Sequence, residues 1–221
     1  EEPAERMFNG YDKTFNSTAP VVGDYWKVLY KIVQESNILL NRCTPAIAGN
    51  DYTSLTAQAR FFRAMAYYYL VETFGPVPLL VEENTDVIQQ AERTSEQAIY
   101  TFIITELNAI KDQLDMTTNS AGKVTNAAVI HFLGKMYLTR AYKSFAEAND
   151  FSEAATTFDL LIENPSSGYA LQENFAALFD ENNQANSEVI WAIQYGLDKN
   201  YRGGGNPQQA QFGFNIVALE P

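Results

Sequence analysis

Apolar positions along this chain recur mostly at helical spacing. In DYWKVLYKIVQESNILLNRC, Trp26, Leu29, Ile32, Val33, Ile38 and Leu39 gather near one face of a helix, with Asp24 placed to cap its N-terminus. Thr44, Pro45 and the Ala-Gly-Asn-Asp run to Asp51 read as a connection. Residues 57–81, AQARFFRAMAYYYLVETFGPVPLLV, then give a second helix that is nearly all apolar. Its polar groups Arg60, Arg63 and Tyr67 share one narrow stripe, which predicts burial on more than one side. Tyr67, Tyr68 and Tyr69 point about 100° apart and cannot share a platform, so the pattern assigns them to packing and rim hydrogen bonds. Gly75 suits the position just past the helix end, and Pro76 and Pro78 send the chain onward extended.

The third helix opens at Thr94 with Gln97 three residues on, the pattern of a capping box. Its apolar face runs from Ile99 through Phe102, Ile103, Leu107 and Ile110 to Leu114. The polar loop TTNSAGK separates it from a fourth helix over about Asn126–Ser144, with Thr125 as its cap. DFSEAATTFDLLIENP predicts a short amphipathic helix ended by Pro165, and Asn174–Phe179 a further short one. NSEVIWAIQY has the β-branched and aromatic composition of a strand. The tail KNYRGGGNPQQAQFGFN is a Gly/Gln-rich loop carrying aromatics.

Helices in pairs suggest a helical-hairpin array. One pair follows the tetratricopeptide pattern: Leu133-Gly134-x-x-Tyr137 in its first helix, Ala154-x-x-x-Phe158 in its second, and Pro165 closing the unit after an insertion. The expected fold is mainly α, with tetratricopeptide-like hairpin repeats, long loops and little β structure. It forms a single domain over residues 1–221, with helical pairs at about 24–75, 94–144 and 152–181.

Composition narrows the chemistry. A chain of 221 residues, 46% apolar and 13% aromatic, can bury a sizeable core. Its net charge of −12, with scattered basic residues, opposes nucleic-acid phosphates and anionic lipid surfaces. The single cysteine, Cys43, excludes an internal disulfide framework. The longest apolar run, Ala64 to Val71, is too short to span a bilayer. Glu1 begins no basic-then-apolar leader, and both ends of the chain read as cut.

No catalytic constellation stands out. The only histidine, His131, lacks sequence partners for a metal site or an acid–base pair. Cys43 has no nearby histidine, and the nucleophile-elbow and glycine-rich nucleotide motifs are missing. Asp180-Glu181-Asn182-Asn183 lacks the central glycine and closing glutamate of a calcium loop and reads as solvated. No spacing singles out a pair of carboxylates for glycoside hydrolysis. Asn16-Ser17-Thr18 fits a glycosylation sequon, a pattern short enough to arise by chance. No cofactor is implied. Aromatic rings beside amides and carboxylates remain, the mixture that recognises sugars. Two loops carry it: FNGYDKTFNSTAPVVGDY near the start and YRGGGNPQQAQFGFN near the end.

The chain also resembles the SusD/RagB family of Bacteroidetes outer-membrane nutrient-binding lipoproteins. Ala57, Ala59, Arg60, Phe61, Phe62, Arg63, Ala64, Tyr67, Tyr68, Leu70, Phe74, Gly75, Val77, Pro78 and Leu79 fit its A-x-A-R-F-[LF]-R-A-x-x-Y-[FY]-x-L helix and the F-G-x-V-P-L that follows. Trp26, Leu29, Tyr30, Ile32 and Asn37 fit the helix before it. Arg93-Thr94, Gly122-Lys123-Val124-Thr125 and Glu188-Val189-Ile190-Trp191 fit later segments, so the likeness spans about residues 25–195.

The resemblance implies a tetratricopeptide-like scaffold without catalysis, held on the extracellular face of the outer membrane by a lipid on an N-terminal cysteine. It implies capture of oligosaccharides or polysaccharides and their delivery to a SusC-type TonB-dependent transporter. Alternatives are a peptide ligand, as in the RagB branch, or a helical-repeat scaffold that binds another protein. Family members are considerably longer, which reads as truncation at the C-terminus, and Cys43 lies mid-chain, so the anchor is not in this chain. Family ligand sites lie in loops near the first helix and late in the chain. These point to Tyr11, Phe15, Asn16, Tyr25, Tyr201 and Arg202, whereas Trp26 belongs to the core.

Overall fold

The computed structural model describes residues 16, 19–86, 88, 90–118, 122–180 and 183–194. It is mainly α. The long helices are α1 (Pro20–Arg42), α2 (Tyr52–Phe74), α3 (Glu96–Ile110), α4 (Asn126–Arg140) and α5 (Asp150–Ile162), and each packs on the next in chain order. A helical turn at Pro45–Ala48 and a 3-10 turn at Gly49–Asp51 join α1 to α2. Short 3-10 turns at Pro165–Ser167 and Phe175–Phe179 follow α5.

Several element ends differ from the sequence expectation, each for a local reason. Helix α1 starts before Asp24, because Pro20 occupies its first position with φ already set and no N–H to satisfy. Asp24 instead lies inside the helix, 3.1 Å from Lys27 on the exposed face. Ser95, not Thr94, caps α3 by accepting the Ala98 N–H. Thr94 is drawn away because its own N–H donates to the Val77 carbonyl at 2.9 Å. Helix α3 stops at Ile110 rather than Leu114, where Asn126 takes over the chain: its side chain donates to the Lys111 carbonyl and its N–H to Asp115. Helix α4 is capped by Thr125, as expected, but ends at Arg140 rather than Ser144.

The strand expected in NSEVIWAIQY is not formed. Among the described residues there is no strand, and 187–194 run as turn and irregular backbone. The β-branched and aromatic residues serve burial instead of pairing, with Ile190 and Trp191 packed against the core. Gly75 ends α2 at φ 69°, a conformation that disfavours any side chain bearing a Cβ, and its N–H caps the Val71 carbonyl.

The core follows the helical periodicity. Leu29 and Val33 of α1, Phe61 and Leu70 of α2, Ile99 and Leu107 of α3, and Val129 and Met136 of α4 form one cluster. The tetratricopeptide-like pair is α4 with α5. A Cβ on Gly134 would sit 2.6 Å from the Phe158 ring, so only glycine lets these helices approach that closely.

Candidate functional site

The α1–α2 pair has two working faces. On one lies the extended segment after Gly75, which has no sheet to satisfy its backbone polar groups. Two polar helix stripes do that work. From α1, the Tyr30 hydroxyl donates to the Pro78 carbonyl at 2.8 Å, Asn37 donates to Leu80 and Glu82, and Gln34 donates to Asn84. From α2, the Tyr67 hydroxyl donates to the Leu80 carbonyl at 2.9 Å and accepts the Leu80 N–H at 2.6 Å. Pro76 and Pro78 bring no donors of their own to the segment.

Arg63 is the hub of this strap. It donates to Asn37 at 2.7 Å and to the Val81 carbonyl at 3.1 Å, and pairs with Glu106 of α3. Arg60 reaches the same carboxylate at 3.9 Å. The narrow polar stripe of α2 is therefore internal at Arg63 and Tyr67, while Arg60 stays partly exposed at its rim. Of the tyrosine run, Tyr67 is buried, Tyr68 half-buried against Phe132, and Tyr69 exposed. Burial pushes the Tyr67 phenol up to about 12, against the lowering effects of its Leu80 bond and of Arg63. Burial, with Tyr67 adding to it, raises Tyr30 as well.

The other face is open and apolar. Val28, Ile32 and Leu39 of α1 and Leu55, Phe62 and Met65 of α2 line a groove of about 780 Å³, with Trp191 and Ile193 as its third wall. Trp191 is fixed there: its indole N–H donates to the Gly122 carbonyl at 2.9 Å, and its ring meets Phe62 at 6.0 Å and Phe61 at 5.9 Å. Gly122 stands at φ 80°, where a Cβ would meet Gln194 at 2.9 Å. Lys31, Glu35, Ser36, Gln58 and Gln194 supply the groove's polar side chains. Among the described residues Glu35 is the one carboxylate in this lining, so these residues offer no pair of carboxylates.

Among the described residues no group of three or more His, Cys, Asp and Glu could hold a metal ion. His131 is 6.0 Å from the Phe158 ring; partial burial, and then the Lys135 charge, lower its pKa. Cys43 is a free thiol. No helix among the described residues is long and apolar enough to cross a membrane.

Of the residues expected to bind ligand, Tyr11, Phe15, Tyr201 and Arg202 lie outside the described residues. Asn16 is exposed, and its carbonyl accepts the Ala19 N–H at 2.9 Å. Tyr25 is 40% exposed and lines a 450 Å³ depression with Pro20, Val21, Asp24 and Val28. Val28 also borders the larger groove, so the two run together along α1. Burial and then Tyr69 raise the Tyr25 phenol, opposed by a hydrogen bond with Thr73. Trp26 packs against Tyr30 and Phe74, as its place in the helix pattern implied. The groove itself was missed. Its signal is Val28, an apolar residue off the main stripe of α1.

Comparison with known proteins fits this architecture. Residues 5–138 match a SusD-like family model described as starch-binding, associating with the outer membrane. A SusD-like protein of Bacteroides ovatus is 30% identical over 77% of this chain and 32% of its own length. The starch-binding protein SusD of Bacteroides thetaiotaomicron is 27% identical over 82% of this chain and 32% of its own. A crystal structure with a xylogluco-oligosaccharide superposes with a TM-score of 0.68 at 29% identity, covering 78% of this chain and 35% of that one. The chain thus spans about a third of the length of these relatives. With its strapped helix pair and tetratricopeptide-like hairpins, and with the family model covering more than half of its residues, this chain belongs to the SusD-like family.

Proposed function

We propose that the protein captures oligosaccharides at the cell surface, without catalysis, and delivers them to a SusC-type TonB-dependent outer-membrane transporter. It sits on the extracellular face of the outer membrane through a lipid anchor. The family match over residues 5–138 carries this reading, because that family is described as starch-binding and outer-membrane associated. Two relatives support a glucan ligand, one named for starch and one seen with a xylogluco-oligosaccharide.

In this reading Tyr11, Phe15, Asn16, Tyr25, Tyr201 and Arg202 hold the sugar, ring faces packing on its C–H surfaces and the amide and guanidinium reading hydroxyls. A glycan array probed with the protein tests the assignment. Binding to starch- or xyloglucan-derived oligosaccharides, weakened by Tyr11→Ala and Tyr201→Ala, is expected. An overnight digest of the same glycans should yield no new products by chromatography. Binding to peptides alone, or release of sugars, sinks the reading.

A further inference from the structure

Between α4 and α5 the chain makes a tip, residues 141–149, that is pinned at its base. Arg140, at the end of α4, grips Asp150, at the start of α5, with a two-pronged contact: Nε lies 3.0 and 3.1 Å from the two carboxylate oxygens, and Nη2 lies 2.6 Å from one of them. Asp150 is fully buried and Arg140 nearly so. The same guanidinium reaches Glu147 at 2.7 Å, while Asp150 accepts the Glu147 N–H at 2.8 Å. Lys143 ties the tip to Glu72 of α2 at 2.7 Å. Backbone bonds from Tyr142 to Thr139 and from Ala146 to Lys143 close its turns.

This clamp holds two large rings in solvent. Tyr142 is 78% exposed and Phe151 54% exposed, with ring centres 5.3 Å apart and planes at 86°. A single exposed ring needs no explanation, whereas an edge-to-face pair makes a joined apolar surface. The rings form a corner, one offering a face where the other offers an edge. Beside Phe151, the side chain of exposed Asn149 donates to half-buried Glu153 at 3.2 Å. Rigid rings with an adjacent amide, carboxylate and phenol are the equipment of a sugar-stacking site. Because the clamp fixes the tip beforehand, little ordering cost falls on binding. The net charge of −12 favours a neutral saccharide over an anionic one.

We propose that Tyr142 and Phe151 form an accessory stacking site for neutral, gluco-configured pyranose units of a polysaccharide, an inference that rests on the glycan-binding reading above. Such units carry their ring hydroxyls and hydroxymethyl group equatorially, with the linking oxygen also equatorial where the link is β, and their axial C–H bonds make the flat apolar face that a ring packs against. The site lies apart from the loops of Tyr11 and Tyr201 in sequence and adds a second hold on a long chain.

Affinity electrophoresis in gels containing xyloglucan tests this, with Tyr142→Ala, Phe151→Ala and Tyr142→Phe beside the unaltered protein. Both alanine variants should bind about five- to tenfold more weakly, and Tyr142→Phe within about twofold of the unaltered protein. Tyr142→Trp keeps the stack and should shift its fluorescence when xyloglucan is added. Unaltered retardation of both alanine variants, or a silent tryptophan, overturns the accessory site alone. An unaltered protein that no glucan retards overturns the glycan-binding reading with it.

Discussion

The two faces of the α1–α2 pair solve opposite problems. On the strap face, the carbonyls of Pro78, Leu80, Val81, Glu82 and Asn84 each accept a hydrogen bond from a helix side chain. On the groove face, Val28, Phe62, Met65 and Ile193 present hydrocarbon with few polar groups among them. Directional bonds specify one position for the strap, while apolar surface attracts without specifying an orientation. The first face fixes the fold, and the second leaves room for contact.

That contrast can be broken at its strongest point first. Arg63→Ala leaves the buried Glu106 carboxylate with Arg60 alone, 3.9 Å away, and frees Asn37 and Val81, so it should cost about 3–5 kcal/mol of unfolding free energy in urea titration. A loss near that of an ordinary surface substitution would show that the hub is ornamental.

Tyr67→Phe leaves the ring packed but removes the hydroxyl that serves both polar groups of Leu80; about 1–2 kcal/mol should be lost. The same phenol gives a pH signature. Its pKa is raised from 10.0 to about 12 in the folded protein, so folding favours the protonated form. Its contribution is complete below pH 10 and is lost as the pH rises from 10 to about 12. Tyr30 acts in the same direction. Stability measured across that interval should fall, and fall less steeply in Tyr67→Phe. A curve identical in both proteins would remove Tyr67 from the explanation.

The smallest effect belongs to the groove. Val28, 56% exposed, and Ile193, 63% exposed, should each accept Gln within about 0.5 kcal/mol. A cost several times larger would mean that the groove face is packed in solution.

Much of this was legible beforehand because periodicity reports burial. The second helix, its glycine stop and the Gly134–Phe158 approach follow from spacing and side-chain size. The strap's fastening was harder to see. Tyr30, Gln34, Asn37 and Asn41 form a polar stripe on α1 that looks like a solvated face until the segment that covers it, 42–50 residues later in the chain, is in place. The misassigned strand has a related cause: β-branched and aromatic residues signal burial, and Trp191 found it among other rings without a partner strand. Helix ends shifted where a competing bond from elsewhere, such as Asn126 on Lys111, outweighed local propensity. The tip clamp was invisible for the same reason, since nothing in Arg140 or Asp150 alone declares that they meet.

Amide hydrogen exchange with and without a saturating xyloglucan oligosaccharide tests the account most directly. It predicts slowed exchange in the segments carrying Tyr11 to Tyr25 and Tyr201 to Arg202, with Pro76 to Asn84 unchanged, because the strap is structural and the sugar binds elsewhere. No change anywhere, or a change confined to the strap, would contradict it.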